Sequence, residues 1–135
     1  MASIIKVETL QDTDGNNAVG MQYVANGSAK GWIHFDGSDT TPAANDSLNH
    51  SSILDNGVGD YSLTHANAYS STEYGIILTG GRSASGANLG GDMFVDDVEP
   101  TTTVARINSW RQTNSAGESA NDVPNITAAF FGDLA

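Results

Sequence analysis

The side chains best suited to moving protons at neutral pH are His34, His50 and His65. Each can act as a base, yet none sits in a recognisable catalytic pattern, and a lone histidine in a strand-rich chain more often packs or faces solvent. Gly81-Arg82-Ser83-Ala84-Ser85-Gly86 comes near a nucleophile elbow but has serine where the second glycine belongs, and no strand-turn-helix surrounds it. Sixteen Asp and Glu residues make some close carboxylate pair a matter of chance, so the sequence singles out no glycosidase pair. No catalytic constellation assembles from these residues, and the chain reads as a non-enzyme.

Ligand-holding patterns are equally incomplete. Gly57-Val58-Gly59 lacks the third glycine and the following helix of a dinucleotide loop, so it reads as a turn. Asp12-Thr13-Asp14-Gly15-Asn16 begins like a calcium loop, but Asn17 and Tyr23 stand where an EF-hand needs glycine and glutamate. Asp92, Asp96, Asp97 and Glu99 offer oxygen ligands for a hard cation, with a solvated acidic loop as the simpler reading. No cofactor or metal is expected. Trp32, Trp110, Tyr61, Tyr69 and Tyr74 offer flat rings for stacking a sugar, or for filling a small core. Tyr69 lies in a polar stretch and is expected to be exposed.

Bulk properties narrow the partners. The 135 residues fit one domain, and five Lys+Arg against 16 Asp+Glu give a net charge of −11. Such a surface is repelled by phosphate backbones and anionic lipid, which argues against nucleic acid. With no cysteine, neither a disulfide nor a thiolate site can form. No apolar run approaches the ~20 residues of a membrane span, and the first residues lack a signal-peptide core, so a protein made in the cytosol without membrane insertion is expected.

The elements that must position these groups are short strands. Residues 49–64 carry the clearest signal: strand-like runs at 51–54 and 61–64 flank a connector, residues 55–60, whose Asn-Gly and Gly-Asp pairs suit a tight turn. Residues 29–35 alternate Ile33 and Phe35 against Trp32 and His34, large on both faces, which suits a strand covered on both sides or lying at a subunit interface. Residues 74–79 are the most apolar run and are expected at the centre of a sheet. Residues 104–110 alternate, residues 93–95 form a weak strand, and residues 126–131 close the chain as another strand. Residues 36–48, 80–91 and 112–125 read as surface loops. Residues 1–28 read as an N-terminal extended arm or an edge hairpin, and residues 29–135 as an all-β antiparallel sandwich, jelly-roll-like. No 3.6-residue apolar period lasts ten residues.

The stretch Ala29-Lys30-Gly31-Trp32-Ile33-His34-Phe35-Asp36-Gly37, followed by Asn49-His50-Ser51-Ser52-Ile53-Leu54 and Asp55-Asn56-Gly57-Val58-Gly59-Asp60-Tyr61, resembles a module of tail-fibre-like virion proteins of bacteriophages, especially marine ones. The opening Ser3-Ile4-Ile5-Lys6-Val7-Glu8 and the closing Ala128-Ala129-Phe130-Phe131-Gly132 are similar to the ends of such proteins. Gly31 and His34 depart from the pattern, which has alanine and asparagine there. The resemblance implies a non-enzymatic virion component, commonly a homotrimer, associated with other virion proteins. On that footing the loops are candidates for contact with a host surface glycan, with Tyr69, Asp39, Arg82 and Asn88 as the surface-recognition residues. A capsid decoration, cement or head-fibre protein and a free carbohydrate-binding module are the alternatives.

Overall fold

The computed structural model describes residues 4–15, 18–81, 91–96, 98, 100–113 and 117–135. The described chain is mostly β, with one short helix. Three N-terminal elements come first: β1 (Thr9–Leu10), β2 (Val19–Gly20) and α1 (Met21–Gly27). β1 and β2 pair only with each other, and α1 buries none of its residues. Ile4, Ile5, Val7, Leu10 and Tyr23 are all exposed.

A four-stranded sheet follows the order β4-β3-β11-β7, formed by β3 (Gly31–Phe35), β4 (Ala44–Leu48), β7 (Gly75–Thr79) and β11 (Ile126–Phe131). The opposing sheet contains β5 (His50–Gly57), β6 (Asp60–His65), β8 (Gly91–Val95), β9 (Val104–Thr113) and β10 (Gly117–Ala120). Every pairing is antiparallel. The ten residues of β9 serve three partners. Ile107 is opposite both Tyr61 and Val95, and Trp110 opposite both Ala120 and Asp92, so β6 and β10 lie end to end on one edge while β8 takes the other.

The two-residue period of the strands builds the core. Ile33 and Phe35 from β3 and Ile126, Ala128 and Phe130 from β11 face Tyr61 and Leu63 from β6 and Ala105 and Ile107 from β9, all buried. Phe35 meets Tyr61 edge-on at 5.3 Å. The alternation in the sequence groups these residues on common faces, and the structure turns those faces inward.

Four expectations are corrected. Residues 44–48, read as loop, form β4, because β3 offers its unpaired edge to them despite their turn-like composition. Residues 112–125 contain the end of β9 and all of β10 rather than a loop throughout. β7 is an edge strand and not a sheet centre, with Ile77 at 58% exposure. The hairpin connector contracts to Val58-Gly59, since Gly57 already pairs with Asp60.

Candidate functional site

The hairpin of β5 and β6 is tied to the rest of the sandwich by polar side chains. Asp55 Oδ1 accepts from Gly57 N–H at 2.9 Å, closing the strand end. Asn56 Nδ2 donates to Ser62 Oγ at 2.9 Å and to Asp60 Oδ1 at 3.2 Å. Asp60 is held by Arg106, whose Nε donates to Oδ1 at 2.8 Å while Nη2 reaches Oδ2; Asp96 Oδ2 lies 3.2 Å from the same Nε. The Arg106 hydrogen bond holds the Asp60 carboxyl below the usual carboxylate range.

The turn itself is anchored at long range. Asp122 Oδ1 accepts from Gly59 N–H at 2.6 Å and lies 2.9 Å from the Tyr61 hydroxyl, which also lies 2.8 Å from the Gly37 carbonyl. Burial, and then the Asp122 carboxylate, push the Tyr61 hydroxyl above its ordinary pKa, so it stays a donor. Gly37 has no room for a side chain: a Cβ would sit 2.6 Å from the Tyr61 hydroxyl and 2.7 Å from Ile126. Ser109 fills the junction where β6 gives way to β10. Its N–H donates to Gly59 C=O at 2.7 Å, its carbonyl accepts from Asn121 N–H, and its Oγ donates to Asn121 C=O at 2.6 Å. Tyr61→Phe should cost about 1–2 kcal/mol in chemical denaturation, because two buried acceptors share the loss of one donor. A wild-type midpoint would show that the hydroxyl carries no weight.

Two of the three histidines come together. His50 and His65 are direct cross-strand partners, with ring centroids 4.9 Å apart, and both rings lie 4.9 Å from Phe130. His65 is 4% exposed and packs edge-on against Tyr69 and Tyr74. Its Nε2 lies 3.4 Å from the Tyr74 hydroxyl, which donates to the Thr101 carbonyl at 2.9 Å. Both ring nitrogens of His50, Nδ1 of His65 and the Tyr69 hydroxyl make no well-formed hydrogen bond, although the Thr64 backbone acts on His50 and Asn49 on the Tyr69 hydroxyl. Burial lowers both imidazoles to about 4, and the mutual repulsion of the pair adds to this at His50. Burial also pushes the Tyr74 hydroxyl up to about 12. The pair is therefore neutral at pH 7: His65 is enclosed in the aromatic cluster, whereas His50 is half-buried and borders a cleft between β4 and β5. His34 stands apart on the outer face of β3, opposite Asp46 and Thr127.

Of the four expected surface-recognition residues, Tyr69 and Asp39 are among the described residues. Tyr69, expected at the surface, is 1% exposed: its ring stacks on Tyr74 at 4.4 Å, and its backbone is bridged to Leu134. The polar stretch around it conceals a core residue, because its N–H donates to the Thr102 carbonyl and fixes that segment across the end of the sandwich. Asp39 is exposed on the connection between β3 and β4. Arg82 and Asn88 lie outside the described residues, as do Asp97 and Glu99. Asp12 opens a turn closed by Gly15 N–H onto its carbonyl, and Asp96 is engaged by Arg106. Among the described residues no three His, Asp or Glu side chains gather as metal ligands.

Clefts also open among the described residues. One of about 420 Å³ is lined by Glu73, Tyr74, Ile76, Val95 and Pro100; a polar one of about 310 Å³ lies between Asn26, Ser70, Glu73, Phe131 and Asp133. A third of about 310 Å³ opens between β4 and β5 over Ile33, Pro42, Ser47 and Ile53, with His50 in its wall. The third cleft also places Ser51 and Ser52 beside His50, with no hydrogen bond from either ring nitrogen of His50 to a serine hydroxyl. No helix among the described residues is long and apolar enough to cross a membrane. No family model, curated protein or solved structure matches the chain.

Proposed function

We propose that this chain is a non-enzymatic structural component of a bacteriophage particle, a tail-fibre or tail-tip module that assembles as a homotrimer and presents its connecting loops towards a host surface. The observation that carries the reading is how the residues of the Asp55–Tyr61 pattern are spent. Asp55, Asn56, Gly59, Asp60 and Tyr61 each hold a strand end, a turn or a neighbouring strand, and none is free for chemistry. A pattern that resembles one in virion proteins, and whose polar side chains are spent on rigidity, fits a scaffold whose task is to be built into something larger.

Gold labelling of the chain in intact particles, with mass spectrometry of purified particles, tests this. Label on the tail is the expected result; absence from particles would sink the reading. Label confined to the head would favour the capsid decoration or cement alternative, which draws support from the exposed apolar side chains of residues 4–10. Any glycan contact belongs to exposed groups such as Asp39; Tyr69, buried as it is, takes no part.

A further inference from the structure

The two outer faces of the sandwich differ. On the β5-β6-β9 face, Leu54 is followed across the sheet by Ser62 and Arg106, and Phe94 by Asn108 and Asp60, so single apolar side chains sit among polar ones. On the other sheet the register places Leu48, Trp32, Ala129 and Ile77 in one continuous row across all four strands. Leu48 is 49% and Ile77 58% exposed, and Phe131 stands beside the row on β11. Antiparallel sheets that face water on one side normally turn polar residues outward. Among the strand residues of this sheet Asp46 is the only carboxylate, in a chain of net charge −11.

Residues 4–10 have the complementary defect. Ile4, Ile5, Val7 and Leu10 project into solvent, with Ile5 at 87%, and Lys6 lies among them. Extended, this arm reaches about 20 Å. The row spans three strand spacings, about 14 Å. The sheet face is small, roughly 19 Å by 16 Å or about 300 Å², against the ~800 Å² per partner of a stable interface. Two faces pressed together therefore fall short, and the arm supplies the missing apolar surface.

We propose that the outer face of the β4-β3-β11-β7 sheet receives residues 4–10 of a second copy of this chain. Ile5 and Val7, on one side of the extended arm, lie along the Leu48–Trp32–Ala129–Ile77 row, with Lys6 on the other side. Charge permits this occupant: between copies of net charge −11, a face with a single carboxylate and a segment whose Lys6 offsets its Glu8 are where two can meet with little repulsion. Each copy gives one arm and offers one face, a head-to-tail contact that closes into a ring. The inference rests on the assembly part of the function proposed above and not on location in the particle.

The test uses the whole chain in light scattering, with Ile77→Asp to spoil the face and Ile5→Asp to spoil the arm. Both sites are exposed, so thermal midpoints should match wild type and confirm folding. Wild type is expected as an oligomer and each variant alone as a monomer. An equimolar mixture of the two variants should form a two-copy species, because one intact arm then meets one intact face. An oligomer that survives both substitutions would overturn the arm-on-face contact while leaving self-assembly standing. Loss with Ile77→Asp alone would indicate face-to-face pairing and overturn it too, as would failure of the mixture to associate. A monomeric wild type would remove both this contact and unaided self-assembly.

Discussion

Gly59→Ala is expected to lower stability by about 3 kcal/mol, read as a shift of the urea midpoint with an unchanged slope. Two costs combine. Gly59 has φ of +68°, a left-handed conformation that costs a residue with a side chain ~1–2 kcal/mol. The added methyl would also press into the Ser109 carbonyl and lie 2.9 Å from Asn121 N. Those atoms are backbone, fixed by the hydrogen bonds joining β6, β9 and β10, so they yield only if the junction opens. Relief of the clash would weaken the Asp122 anchor, because Gly59 N–H is one of its donors. The neighbouring Val58 is 62% exposed, and Val58→Ala should change stability by less than ~0.5 kcal/mol. Equal effects at the two sites would show that the turn is not pinned as described.

Acidification should destabilise the sandwich through its buried imidazoles. Both folded values are about 4, against 6.5 for an ordinary histidine, so the folded state resists protonation and the unfolded chain does not. The folded state is fully favoured above pH 6.5. It loses ground as pH falls towards 4, and the loss levels off below that. Each tenfold drop in proton affinity on folding is worth ~1.4 kcal/mol. Because repulsion from His65 supplies part of the lowering at His50, the pair together accounts for a loss on the order of 5 kcal/mol. That is a large part of the ~5–15 kcal/mol that holds a domain together. Melting temperature measured from pH 7.5 to 4.5 should fall steeply, and His65→Leu should flatten the acid limb while leaving the pH 7 value near wild type. A flat wild-type profile would refute the neutral buried pair.

Much of the scaffold is legible in the sequence because its physics is local. Residues 31–35 and 104–110 alternate, which groups Ile33 with Phe35 and Ala105 with Ile107 on common faces without knowledge of any pairing, while the packing of the two sheets decides which face turns inward. What cannot be read depends on distant partners. The five residues of β4 have loop composition and become a strand only because β3 lies beside them. The histidine pair is hidden by two irregularities in the β5–β6 register: counted regularly from Gly57 and Asp60, His50 would face Asn67 rather than His65. Tyr69 escapes a sequence reading because polar neighbours say nothing about a ring that a segment 65 residues later covers. The hairpin pattern is visible, but its anchor Asp122 is not, since a single aspartate in a polar stretch carries no signal of the Gly59 and Tyr61 groups it binds.

The place of β11 has a consequence for how the molecule is made. β3 and β7 do not touch along their edges; both pair with β11, which fills the slot between them. While the chain is being synthesised, residues 31–35 and 75–79 are already present with that slot vacant, and the core lacks Ile126, Ala128 and Phe130 between them. One sheet of the sandwich is therefore completed only when residue 131 has cleared the ribosome. Ribosomes that stop early release chains with two unpaired strand edges, which aggregate or are degraded.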